Sequence, residues 1–267
     1  MISVIIPSYK NPKYLDLCIK SAIETQTEKN EIIVVLDGYP ELSRDVIKKY
    51  QDDISVLEFQ ENRGMSAAIN YGVYNATNEY VLVVSEDNVF CKEWDKILKY
   101  LIETNVCDNT VLTINQIEPD GGIYNMNVKD FGTTLEDFRL EDFWNEEPSF
   151  RKNEITDDGS TFPFFIKKVD FMKVGGFDID YPSPFVVDWD FFLKCEISNI
   201  QLNRLHKLNF YHFVSKSTKN RNGYLENPGE VLKCFEGEKR GAEYFAYKWG
   251  FPPQRDENNK CKNLITF

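Results

Sequence analysis

Through the first 117 residues, short and nearly continuous apolar runs alternate with stretches of helical periodicity. Residues 2–6, 32–36, 54–59, 80–84 and 111–117 are runs dominated by Ile, Val and Leu, with a few polar positions, and too short for helices. Between them, Tyr14, Leu15, Cys18, Ile19, Ala22 and Ile23 recur at helical spacing. Small residues fill 65–76, and Trp94, Ile97, Leu98 and Leu101 share one face of 92–103. Strands apolar on both sides and separated by helices predict an α/β fold with a mostly parallel sheet covered on both faces. Right-handed crossovers bring every carboxyl end to one edge, where open α/β sheets bind ligands. Pro7-Ser8-Tyr9, Asp37, the ENRG loop at 61–64 and Glu86-Asp87 all follow strand ends and are predicted to share that edge.

The pattern changes at 118–161, where twelve acidic residues from 118 to 160 outnumber four basic ones. Tyr124, Phe131, Phe138, Phe143, Trp144 and Phe150 are interleaved, and TLEDFRLEDFW can form one helix with an apolar stripe. Two readings stand open: a lid or acceptor-facing flap, and a solvated insertion with a satellite core. Regular structure resumes with a strand at 162–166, a helix at 168–174 stopped by Gly175-Gly176, and a helix at 188–198. A strand at 208–214 carries His212, and a C-terminal helix covers 226–249 before Gly250 and Pro252-Pro253. No linker divides the chain, so a single domain is expected. It comprises a nucleotide-binding half at 1–117, the acidic segment at 118–161, an acceptor-side half with the C-terminal helix at 162–250, and a polar tail at 251–267.

Composition narrows the function. The chain has 267 residues, 42% hydrophobic and 14% aromatic, enough for a well-buried core. Its net charge of −12 and the lack of a Lys/Arg run argue against nucleic acid as a partner. No window is long and apolar enough for a transmembrane segment, and MISVIIPSYKNP has no leader character. The expected location is therefore cytoplasmic, with peripheral contact at a membrane left open. Six scattered cysteines without a C-x-x-C pair are expected to be reduced, packed thiols. Dinucleotide, P-loop, nucleophile-elbow and H-E-x-x-H motifs are missing, which leaves carboxylate chemistry with or without a hard metal ion.

Three acidic positions stand out. Glu86-Asp87 in SEDN either hold Mg²⁺ or Mn²⁺ against a diphosphate or simply close a strand-end turn. Asp37 in VVLDGYP accepts a hydrogen bond from a base N–H or makes an ordinary Asp-Gly turn. Asp188 and Asp190, flanking Trp189 in VVDWDFF, open a helix whose dipole favours carboxylates. There they serve as caps, or one of them takes a proton from a hydroxyl nucleophile.

The succession VIIPSYKNPKYLDLCIKSAIETQ, EIIVVLDGYPE, ENRGMSAAINYG, YVLVVSEDNVF, KVGGFD and VDWDFFLK resembles the family 2 glycosyltransferases. The resemblance covers most of residues 1 to 215. It implies the GT-A fold, a Rossmann-like mostly parallel sheet flanked by helices, with an acceptor-side subregion and a C-terminal helix. It also implies transfer of a sugar from a nucleoside-diphosphate sugar, a UDP-sugar above all, to a glycan or other hydroxyl acceptor, with inversion and a divalent cation (Mn²⁺ or Mg²⁺). Pro7, Ser8, Tyr9, Asp37, Asn62, Gly64, Asn70, Glu86 and Asp87 match the nucleotide and donor site. Asp87 and His212 match metal ligands, and Asp188 the catalytic base. Gly175, Gly176, Phe177, Asp178, Trp189 and Asp190 match the acceptor side. Ser85, Ile69 and Val187 depart from the pattern, standing where an Asp, an Arg and a Glu are usual. Two rivals remain: a catalytically weak nucleotide- or carbohydrate-binding relative, and a sugar-phosphate nucleotidyltransferase.

Overall fold

β1 (Ile2–Ser8) runs through the sheet interior, and its alternation explains why the sequence there is apolar at nearly every position. Val4 and Ile6 face one side with Leu15, Cys18 and Trp94, whereas Ile5 faces the other with Ala68, Ile69 and Phe191. Successive strand residues point to opposite faces, so a strand covered twice has few places for a polar side chain. β2 (Glu31–Asp37) divides in the same way, with Ile32, Val34 and Leu36 opposed to Ile33 and Val35. The computed structural model describes residues 1–120, 127–213 and 228–254.

The other strands are β3 (Ser55–Phe59), β4 (Tyr80–Val83), β5 (Asn88–Val89), β6 (Thr110–Glu118), β7 (Asn127–Val128), β8 (Ile155–Thr156), β9 (Phe164–Lys167) and β10 (Gln201–His212). They form one sheet in the order β3-β2-β1-β4-β9-β6-β10-β5, with β7 on β6 and β8 on β10. The helices are α1 (Pro12–Thr25), α2 (Arg44–Lys49), α3 (Met65–Asn75), α4 (Trp94–Glu103), α5 (Leu140–Glu146), α6 (Lys168–Lys173), α7 (Val187–Ile197) and α8 (Pro228–Trp249). α1, α2, α4 and α5 cover one face of the sheet, and α3, α6, α7 and α8 the other.

Three features depart from the sequence reading. β9 enters between β4 and β6 and is antiparallel to both, which leaves those two strands running in the same direction. β10 begins at Gln201, seven residues before the expected start, because buried polar residues interrupt its apolar pattern. Arg204, 1% exposed, meets the Asp158 carboxylate at 3.2 Å, and a bulge between Leu205 and Asn209 delivers the Asn209 N–H to Glu147. Only the last five residues of TLEDFRLEDFW are helical, in α5, because the Asp137 carboxylate accepts from the Thr133 and Thr134 N–H groups and holds a turn there.

Phe131, Phe143 and Trp144 belong to the main core on the α1/α4 face, with the Trp144 indole N–H donating to the Phe90 carbonyl at 2.9 Å. Tyr124, the start expected for the last helix at 226–227, and the end of the tail from 255 lie outside the described residues. Cys18, Cys91, Cys107 and Cys195 are free and buried. No helix among the described residues is long and apolar enough to cross a membrane.

α3 approaches the sheet closely at Gly72, where an added Cβ would fall inside contact distance of Ile5 Cγ2 and 3.0 Å from Val35 Cγ2. Both neighbours are β-branched and stiff. The helix-propensity gain on replacing a glycine is less than about 1 kcal/mol, while overpacking costs about 1–3 kcal/mol. Gly72→Val should therefore lower stability by about 2 kcal/mol. The change would appear as a lower urea midpoint at an unaltered slope; an unmoved midpoint would contradict this packing.

Candidate active site

β3, β2, β1 and β4 are parallel neighbours, so their carboxyl ends share one edge. Ser8 lies opposite Leu36 and Asp37 opposite Phe59, which places Pro7, Ser8 and Tyr9 beside Asp37. β6 and β10 are parallel to each other and end at that edge as well, with Ile117 opposite Tyr211. Glu118 and His212 are therefore the next residues along two adjacent strands. The antiparallel pairing of β5 sets Asn88 against His212 and brings Asp87 to the same point.

The acids at this edge are buried, and each faces a donor. Asp37 is 4% exposed; its carboxylate accepts from the Arg63 N–H at 2.6 Å and from Asn62 Nδ2 at 3.0 Å. Burial raises the Asp37 pKa, and the Arg63 and Gly64 backbone N–H groups offset only part of that rise. Gly38, with φ of +81°, turns the chain under this loop, and a Cβ there would lie 2.6 Å from the Asn62 nitrogen. Glu86 accepts from the Tyr9 N–H at 3.0 Å. Next to it, Tyr9 and Tyr39 meet edge to face, and Lys10 Nζ sits 3.8 Å from the Tyr39 ring centroid.

His212 joins the remaining two carboxylates. Its Nδ1 is 2.7 Å from Glu118 Oε1, and its Nε2 is 3.6 Å from Asp87 Oδ2. Burial alone would lower the imidazole pKa, but Asp87 and then Glu118 override it and hold it at about 10. Glu118 escapes the sequence reading because it begins the acidic segment. Its signal is nevertheless that of Asp37, an acid closing a buried strand.

The acceptor-side residues gather around α7. Asp188 is half-buried in the first turn, two residues after Val186, whose φ of +71° is rare for a β-branched residue. Trp189 is 7% exposed and packs in the core. Asp190 is fully buried and engaged by Lys248 Nζ and Trp249 Nε1 at 2.7 and 2.8 Å, so its carboxylate anchors α8. Asp178 meets the same Lys248 at 2.7 Å; burial would raise its pKa, but the ammonium outweighs that and lowers it. The Lys194 ammonium donates to the Gly176 carbonyl, and burial lowers its pKa. Lys194 and Lys248 carry no motif, and the pairing of Lys248 with Asp178 and Asp190 spans about 60–70 residues of chain.

Asn70 links the two groups. Its amide donates to the Phe177 carbonyl at 2.7 Å and accepts the Phe177 N–H at 2.8 Å, so both polar ends are committed to the GGFD loop. Gly64, beside the Asp37 loop, caps the start of α3, and Asn70 lies six residues on, roughly 9 Å along the axis.

The family model described as glycosyl transferase family 2 matches residues 3–194. The chain belongs to this family. Glycosyltransferase GlyA of Streptococcus pneumoniae serotype 4 is 39% identical over 106 residues, 38% of this chain and 15% of that protein. Glycosyltransferase GlyG of the same organism is 29% identical over 151 residues, covering 55% of this chain and 48% of that one. The chain thus spans less than half the length of either relative. S. aureus TarS 1–349 superposes with a TM-score of 0.60 at 16% identity, over 93% of this chain and 74% of the TarS chain. At that identity the likeness is one of fold, and it bears out the GT-A expectation.

Asn70→Ala removes two hydrogen bonds and orphans both Phe177 backbone groups, at a cost of about 2 kcal/mol. The variant should unfold at lower urea and be cleaved sooner by protease at 175–178. Parent-like resistance would show that the clip carries no load.

Proposed function

We propose that this chain transfers a sugar from a UDP-sugar to an acceptor hydroxyl with inversion at the anomeric carbon. The observation carrying the reading is the cluster at the sheet edge, where the Asp87 carboxylate faces His212 Nε2 and Glu118 holds Nδ1. Family membership supports the transferase class. The choice of UDP draws support from TarS, which has been crystallised with UDP and with UDP-GlcNAc.

Asp37 is the residue to read the base. Asn62 and the Arg63 and Gly64 N–H groups face its carboxylate, and of about four lone-pair positions one is left with capacity for a ring N–H. Tyr9 and Tyr39 offer ring faces next to it.

The chain's donors suit a divalent cation at Asp87. A histidine whose second nitrogen is held by a carboxylate is the usual arrangement of an imidazole ligand; the Asp87 carboxylate suits Mn²⁺ or Mg²⁺, and His212 would join it by giving up its Nε2 proton on metal binding. Among the described residues no three His, Cys, Asp or Glu side chains group to hold a metal. Asp87 and His212 would therefore hold the ion together with diphosphate oxygens, and its charge would offset that of the departing nucleotide.

Asp188 is the base. The acceptor oxygen bonds to the anomeric carbon as its proton passes to the Asp188 carboxylate. The bond to the diphosphate breaks on the opposite side and its electron pair leaves with the nucleotide. Placement in the first turn of α7 puts this carboxylate where the helix dipole favours negative charge.

Asp188→Asn should lower transfer by about 10²- to 10⁴-fold while UDP binding stays near the parent value. Parent-rate turnover would remove Asp188 from the role. Asp87→Ala should weaken UDP binding about tenfold or more in Mn²⁺ by calorimetry, one lost ligand contributing at least 1.4 kcal/mol. Equal affinity with and without the ion would remove the metal from the site. Slow release of free sugar from UDP-sugars, and not from GDP- or dTDP-sugars, separates an enzyme from a binding relative and tests the base.

A further inference from the structure

α8 is docked along the segment that carries Asp188. Glycine is unfavourable in a helix interior, yet Gly237 and Gly241 stand four residues apart on one face of α8. Phe185 fills the room they leave. A Cβ on Gly237 would lie 3.0 Å from the Phe185 ring, and one on Gly241 would fall inside contact distance of the Phe185 carbonyl oxygen. The Ser183 hydroxyl donates to the Gly237 carbonyl at 2.7 Å. About two turns further along α8, Lys248 Nζ lies 2.7 Å from both Asp178 Oδ2 and Asp190 Oδ1, and Trp249 Nε1 donates to Asp190 at 2.8 Å.

Val186 sits between these two anchorages in the left-handed region. A β-branched residue stays there only where its surroundings over-determine it. Its carbonyl accepts the Asp190 N–H at 3.3 Å and so helps set the first turn of α7.

We propose that α8 is a clamp that aims the base: Phe185 seated on Gly237 and Gly241, with Asp190 held by Lys248 and Trp249, keeps Val186 left-handed and fixes where Asp188 is presented. The inference rests on Asp188 being the base. Gly237, Gly241, Lys248 and Trp249 are then positioning residues that act through Phe185, Asp178 and Asp190. A small displacement of a reacting group costs far more in rate than in binding.

Gly241→Ala and Trp249→Phe test this in the full chain. The first pushes on the Phe185 carbonyl while improving helix propensity; the second keeps an aromatic ring and removes the N–H to Asp190 together with the pyrrole part of the indole. Hydrogen exchange at the 186–190 amides should quicken in both variants, and kcat for transfer should fall about tenfold or more with donor KM and UDP affinity unchanged. Lys248→Arg should retain most of kcat, unlike Lys248→Met. Exchange at the parent rate in a folded variant overturns the clamp. So does parent kcat despite quickened exchange, or a loss of UDP affinity in step with kcat, which marks a merely structural role. A parent protein that consumes no nucleotide sugar removes the functional reading and the aiming role together, while the exchange result still decides whether α8 restrains the turn.

Discussion

A strand covered on both faces can carry an acid only where it leaves the two helical layers, and this constraint organises the molecule. Asp37, Glu86, Asp87 and Glu118 all stand at or just past strand ends on one edge, each 3–4% exposed. Buried carboxylates persist there because each faces a donor: Arg63 and Asn62 for Asp37, the Tyr9 N–H for Glu86, and the His212 imidazole for Asp87 and Glu118. The donors come from the loops and strands next in space, so the register of the sheet sets the chemistry of the edge.

The sheet edge and the region around α7 are built differently. The edge inherits its geometry from neighbouring strands and needs few side-chain ties. The α7 region is made of loop and helix starts, and side chains hold it: Asn70 on Phe177, Lys194 on Gly176, and Lys248 on Asp178 and Asp190. A pair such as Lys248–Asp190, with a fully buried carboxylate, does not by itself argue for stability. Its evident consequence is to fix one helix end against another.

The first half of the fold is readable because its signal is local. Ile2 to Ile6 and Ile32 to Leu36 are apolar at almost every position, and the polar residues that follow them mark the edge. Asp37, Glu86 and Asp87 are legible on the same ground. β10 is obscured because Arg204 and Asn209 are buried against Asp158 and Glu147, partners more than forty residues away. The same limit applies to the DWD turn. Two acids two residues apart look equivalent, and only the distant Lys248 and Trp249 distinguish Asp190, the anchor, from Asp188. Glu118 shows the opposite failure: a strand-end acid hidden by the acidic stretch that follows it.

The account comes down to one nucleoside diphosphate meeting the strand-end acids at His212. The chain has only two histidines, and His206 lies six residues earlier on β10, up to about 20 Å away along the strand. A titration of the UDP-saturated protein with substoichiometric Mn²⁺, followed through the two imidazole resonances, reads this directly. The account predicts that the His212 signals broaden first and vanish while those of His206 persist; broadening of His206 ahead of His212, or of neither, contradicts it.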